Sequence, residues 1–105
     1  ITAQAAFELD KLGQLMNKYP SIVLRAESHT DARGSATYNQ KLSERRALTT
    51  AQYVISKGIS AERITGVGMG ESAPVNDCGT GCSEDEHQMN RRSEFIILEG
   101  NPYNE

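Results

Sequence analysis

The chain has 105 residues, 37% hydrophobic and 24% charged, with a formal net charge of −3. These values describe one folded domain rather than a disordered segment, and no apolar run approaches the roughly 20 residues of a membrane helix. The eleven Lys and Arg are spread along the chain without the basic stripe that phosphate contacts demand, so nucleic acid is not an expected partner. No basic-then-apolar leader opens the sequence. Membrane attachment is therefore expected only through segments outside this chain.

From Thr2 to Lys18 the apolar residues Ala5, Leu9, Leu12, Leu15, Met16 and Tyr19 recur at steps of three and four, which predicts a helix with one buried face. Thr2 is its expected N-cap and Pro20 its stop. Ser21 to Ser28 predicts a strand in which Ile22, Leu24 and Ala26 alternate with Val23, Arg25 and Glu27, so one face is buried. A polar, turn-rich stretch centred on Gly34 follows. Thr37 to Lys57 then predicts a second, longer helix with Ala47, Ala51, Val54 and Ile55 as its core stripe. Thr37 with Gln40 fits a capping box, and Ser35 competes for the N-cap. Gly58 fits the left-handed C′ position with Ile59 as its hydrophobic partner.

Arg63 to Gly70 predicts a strand. Ile64 would face opposite to Val67 and Met69, which places a bulge or edge irregularity near Gly66. A loop over residues 71–82 holds Pro74 and both cysteines. Ser83 and Glu86 form a second capping box, which starts a short helical turn running toward Asn90. Ser93 to Leu98 is the last expected strand, and the tail from Gly100 is expected to fray. Helices alternating with strands define a two-layer α/β (α+β) sandwich in a single domain.

The stretch richest in chemistry is His29-Thr30-Asp31-Ala32-Arg33-Gly34, followed by Tyr38-Asn39 and Leu42-Ser43-Glu44-Arg45-Arg46-Ala47. Asp31 falls just past the carboxyl end of a strand, where open α/β folds place ligands. At about 100° per residue, Asn39 and Arg46 lie nearly above one another on the helix with Leu42 close by, away from the core stripe. Asp31 and Arg46 can thus face a common cleft. Such a pair suits a zwitterion, the carboxylate accepting from an ammonium and the guanidinium gripping a carboxylate bidentately. Affinity for a small polar ligand would then be on the order of micromolar to millimolar. The same spacing also permits a salt bridge between Asp31 and Arg46 that merely staples loop to helix.

The runs HTDARG, YN and LSERRA, then KGIS, VGMGE and NRRSEF, closely resemble the OmpA-like C-terminal domain family, over nearly the whole chain and in the family's order. The resemblance implies a βαβαβ-type domain with a mixed sheet that binds peptidoglycan without catalysis and without a cofactor. It assigns Asp31 and Arg46 to the free end of meso-diaminopimelate in the stem peptide, with Thr30, Asn39 and Leu42 as supporting pocket residues. Arg91 or Arg92 of the NRR run would complete the rim, Arg92 being the residue taken as ligand-binding. The implied setting is the periplasmic domain of an outer-membrane protein or lipoprotein that anchors the envelope to the cell wall. Three features depart from the family pattern. The apolar strand that usually precedes the first helix is not in this chain. Arg33 stands where a small polar residue is usual; it can reach peptide or sugar carboxylates or simply be solvated, and solvation is the expectation. The loop carrying Cys78 and Cys82 belongs to only part of the family.

Other candidates yield blander readings. His29 beside Ser28 and Asp31 lacks the mutual geometry of a nucleophile–base pair and is expected to pack at the strand end. Cys78 and Cys82 are expected to form a disulfide rather than, with His87, an incomplete zinc site. Gly66, Gly68 and Gly70 do not open a helix, so they are no phosphate loop; they are expected to relieve crowding where the strand bends or another backbone approaches. The alternative to wall binding is an envelope protein–protein interaction domain with a vestigial pocket.

Overall fold

A computed structural model describes residues 1–100. The first helix, α1 (Ala3–Lys18), starts where the Thr2 hydroxyl accepts the Ala5 N–H at 3.1 Å. It ends ahead of Pro20, and its last carbonyls are claimed by a distant cation. The Arg63 guanidinium donates to the carbonyls of Met16 (2.7 Å), Tyr19 (2.9 Å) and Ile22 (3.1 Å), which suits the negative end of the helix dipole.

Ser21 belongs to a turn closed by the Ile22 N–H on the Tyr19 carbonyl. The first strand, β1 (Val23–His29), therefore begins two residues later than the expected Ser21 and runs one further, to His29. Its apolar face is as expected, with Ile22, Leu24 and Ala26 all buried. Helix α2 (Ala36–Ser56) is capped by Ser35, whose hydroxyl accepts the Tyr38 N–H at 3.1 Å. The expected cap Thr37 is already inside the first turn, because Ser35 is the last residue with extended backbone. The helix stops at Gly58, whose φ of +98° disfavours any residue with a Cβ, and Ile59 behind it is 2% exposed.

Strand β2 (Ile64–Gly70) runs parallel to β1, and β3 (Arg92–Glu99) runs antiparallel on its other side, giving the order β2-β1-β3. The expected irregularity in β2 lies at Met69 rather than Gly66. Ser28 pairs with Gly68 and His29 with Gly70, so Met69 is the extra residue. The glycines do relieve crowding. A Cβ at Gly66 would sit 2.5 Å from the Ala47 carbonyl oxygen, and one at Gly68 would sit 2.3 Å from the Glu44 nitrogen. Helix α2 can lie this close to β2 only because both positions lack side chains. Ser43 then ties the two elements, its hydroxyl accepting the Gly70 N–H at 2.9 Å, and Gln40 donates to the Gly68 carbonyl at 2.7 Å.

Leu9 and Met16 from α1, Leu24 from β1, Ala51 and Val54 from α2 and Ile64 from β2 form one buried cluster with Ile22 and Ile59. Two helices therefore cover one face of a three-stranded mixed sheet. Helix α3 (Glu84–Asn90) opens with the expected capping box between Ser83 and Glu86. Before it, Cys78 and Cys82 are joined in a disulfide around a short 3₁₀ turn. The tail expected to fray lies, beyond Gly100, outside the described residues.

Candidate ligand-binding cleft

Parallel pairing of β1 with β2 forces the chain to cross through α2, and that crossover opens a groove at the carboxyl end of β1. A cleft of about 650 Å³ lies there. One wall is α2, which presents Leu42, Arg45, Arg46, Thr49 and Thr50. These residues fall one turn apart in pairs, Arg45 with Thr49 and Arg46 with Thr50, so the polar face is two residues wide. Ser28 and His29 at the end of β1, and Arg91, Arg92 and Ser93 at the start of β3, supply the rest, with Ile1 at the margin.

Of the residues expected at the site, Leu42, Arg46 and Arg92 line this cleft, whereas Thr30, Asp31 and Asn39 do not. The latter three are buried, Thr30 and Asp31 in the loop after β1 and Asn39 in the first turns of α2 beside it. Asn39 holds that loop in place, its amide donating to the Arg33 carbonyl at 2.9 Å and the Asp31 carbonyl at 3.3 Å. Thr30 contributes in the same way, donating its hydroxyl to the Asp31 carbonyl and its N–H to Gly70.

Asp31 does not pair with Arg46. Among the described residues its ion-pair partners are Arg33 at 2.8 Å and Arg91 at 2.7 Å. Its second oxygen accepts the Arg33 N–H at 2.9 Å. The hydrogen bond from the Arg33 side chain, then those from Arg91 and the Arg33 backbone, hold Asp31 well below the usual carboxylate range despite its burial. Both arginines also reach Glu84 on α3, at 2.9 and 3.0 Å. Arg33, expected to be solvated, is 47% exposed along its side chain and is also one of the four charges in a knot that joins the β1 loop to α3. Arg91 links that knot to the cleft, since it binds Asp31 and also lines the cleft wall.

Arg92 is held differently. It donates to Glu94 at 2.6 Å and to the carbonyls of Ala73 (2.8 Å) and Asn90 (3.1 Å). His29 packs at the strand end, 3% exposed, and among the described residues neither ring nitrogen has a hydrogen-bond partner. Glu94 and Glu27 stand 3.6 and 3.7 Å away. Burial, followed by the Arg92 charge, outweighs these carboxylates and lowers the His29 pKa from its ordinary 6.5.

A buried neutral histidine of this kind binds its proton more readily when unfolded. Its stabilising contribution is complete above about pH 6.5 and is lost as pH falls from there through the lowered folded value. Thermal midpoints of the wild type are accordingly expected to drop between pH 7 and 5, and His29→Gln should flatten that slope. Asp31 acts in a separate window, since its contribution is lost only as pH falls below its ordinary 3.8. A slope between pH 7 and 5 that survives in His29→Gln would assign it to another group.

Sequence reasoning missed Arg45, Thr49 and Thr50. Their one-turn spacing beside Arg46 was the available signal. It also missed the attachment of Arg91 to Asp31, which antiparallel pairing of His29 with Arg92 brings about.

Fold and cleft together define a two-layer α/β module with an arginine-lined groove at the end of its central strand. Comparison with known proteins goes further: the chain belongs to the OmpA family, whose pattern matches residues 1–88. It is 41% identical over 90 residues to outer membrane porin F of Pseudomonas fluorescens, covering 86% of this chain and 27% of that protein. It is 37% identical over 78 residues to the peptidoglycan-associated lipoprotein of Rhizobium meliloti, covering 74% of this chain and 44% of that one. The chain thus spans about a quarter to a half of these curated relatives. The crystal structure of the peptidoglycan-associated lipoprotein from Burkholderia pseudomallei shares the fold with a TM-score of 0.83 at 24% identity, over 92% of this chain and 80% of that one. The cell wall anchor of the T6SS from Pseudomonas aeruginosa gives 0.78 at 25% identity, over 95% of this chain and 70% of that one.

Proposed function

We propose that this chain is the wall-binding module of an envelope protein, holding peptidoglycan non-covalently through the diaminopimelate of the stem peptide. In this reading it is the periplasmic part of an outer-membrane protein or lipoprotein and carries out no catalysis. The observation that carries the reading is the position of Arg46. It faces an open cleft at the end of β1 with no carboxylate of the protein within ion-pair distance among the described residues. An exposed guanidinium in a groove is available to a ligand carboxylate in the bidentate geometry that arginine favours. Membership in a family with relatives named peptidoglycan-associated lipoprotein supports the same ligand.

Asp31 enters this reading with a changed role. Its charge is already met by Arg33 and Arg91, so it acts first by fixing Arg91 at the cleft wall. A ligand ammonium would have to share or displace one of those guanidinium groups to reach it.

The test is co-sedimentation of the protein with purified sacculi, competed by free meso-diaminopimelate and, as control, by lysine, which lacks the second carboxylate. Retention in the pellet, released by meso-diaminopimelate but not by lysine, is expected. Absence of sacculus binding would instead favour an envelope interaction module, for which the exposed Ile97 and Leu98 of β3 offer an apolar surface. Release of cleaved muropeptides would overturn the non-catalytic assignment.

A further inference from the structure

The charge of the cleft exceeds what one carboxylate needs. Arg45, Arg46, Arg91 and Arg92 all line it, four of the chain's seven arginines, and among the described residues no Asp or Glu does. This concentration stands in a protein whose net charge is −3. Two of the four are already committed. Arg91 is bound to Asp31 and Glu84, and Arg92 to Glu94 and two backbone carbonyls. Arg45 and Arg46 have no ion-pair partner among the described residues. They are neighbours in α2, pointing about 100° apart around the helix, yet both border the same cavity, so the cavity is wide enough to span both. The carboxylates behind the cleft wall are taken up there, Asp31 by Arg33 and Arg91, Glu84 by the same two arginines and Glu94 by Arg92. A ligand carrying a single carboxylate would therefore leave one of Arg45 and Arg46 without a counter-charge.

We propose that the cleft takes a peptide segment with two carboxylates, one at Arg46 and a second at Arg45, and that Arg45 makes the site selective for the more anionic form. This rests on the wall-binding reading and names the part of the ligand that the second seat receives. In a stem peptide the residue before the diamino acid is a glutamate linked through its γ-carboxyl, which leaves its α-carboxylate free. That group is one residue from the diaminopimelate and is the carboxylate assigned to Arg45. A wall in which this carboxylate is amidated would be held less tightly.

The probes are two synthetic tripeptides, L-Ala-γ-D-Glu-meso-diaminopimelate and the same peptide with the glutamate α-carboxylate amidated. Calorimetric titration of the wild type is expected to give about tenfold tighter binding of the acid form, the size of one charge-assisted hydrogen bond. Arg45→Gln, at an exposed position, should bring the two affinities together by weakening the acid form. This coupling is the readout, since a general loss of folding would weaken both peptides alike. Equal affinities in the wild type, or a ratio that persists in Arg45→Gln, would overturn the second seat while leaving the wall-binding reading intact. Binding of neither peptide would overturn both, and the sacculus assay reports on the wall-binding reading independently.

Discussion

Replacement of Gly68 by alanine is expected to lower the thermal midpoint by roughly 12–24 °C, the equivalent of about 3 kcal/mol in a domain of this size. The added methyl would lie 2.3 Å from the Glu44 nitrogen and 2.7 Å from its Cα, with the Ser43 hydroxyl at 2.6 Å. Backbone atoms in the middle of a 21-residue helix cannot yield as a flexible side-chain tip can. The whole of α2 would have to lift from β2, and with it the Gln40 and Ser43 bonds to Gly68 and Gly70. Gly81→Ala is the matched control. Among the described residues nothing lies within 4 Å of its added Cβ, and a change within about 0.5 kcal/mol is expected. Because α2 carries Arg45 and Arg46, any Gly68→Ala protein that still folds should also bind the stem peptide more weakly. A Gly68→Ala midpoint within a few degrees of wild type would show that helix and strand can separate at little cost, contrary to this packing.

The glycine contacts illustrate what could be read from the chain alone. Helix positions were legible because their signals are local: apolar steps of three and four along α1, a glycine with positive φ after α2, and Ser83 with Glu86 at α3. The β2 glycines point by the same local logic to a strand bend or to an approaching backbone, and the contacts with Ala47 and Glu44 decide for the second. Local signals failed where two equivalent ones competed. Ser35 and Thr37 can both cap a helix, and only the path of the loop after Asp31, held by Asn39, decides for Ser35. The bulge at Met69 was displaced from its expected place because register depends on the partner strand.

The site was legible in parts. The strand-end position of Asp31 and the exposed face of α2 follow from chain order and helical period. The partners of Asp31 do not. Arg91 lies 60 residues away and arrives only because β3 returns antiparallel to β1, with Arg92 opposite His29. Arg33 looked solvated because its neighbours in sequence gave no sign that Glu84, 51 residues on, would meet it. Spacing arguments reach along one helix face. They do not reach across a sheet whose register is set by the whole fold.

Arg46→Ala is expected to weaken binding of the stem tripeptide about 10- to 100-fold, the loss of a charge-assisted bidentate contact worth about 1.5–3 kcal/mol. Stability should stay within about 0.5 kcal/mol of wild type, because the side chain is exposed and has no ion-pair partner among the described residues. Arg46→Lys should recover only part of the affinity, since an ammonium keeps the charge but not the planar fork. Asp31→Ala is expected to behave differently. It removes the acceptor of the Arg33 N–H and frees Arg33 and Arg91, so affinity and stability should fall together, the latter by about 1–2 kcal/mol. Calorimetric titration with the tripeptide, paired with thermal unfolding of each variant, separates the two behaviours. Preference for meso-diaminopimelate over lysine should disappear in Arg46→Ala, because only the carboxylate distinguishes these ligands at that end. If Arg46→Ala keeps the preference while Asp31→Ala loses it without unfolding, the carboxylate must be seated on Arg91, and the knot rather than α2 would be the clamp.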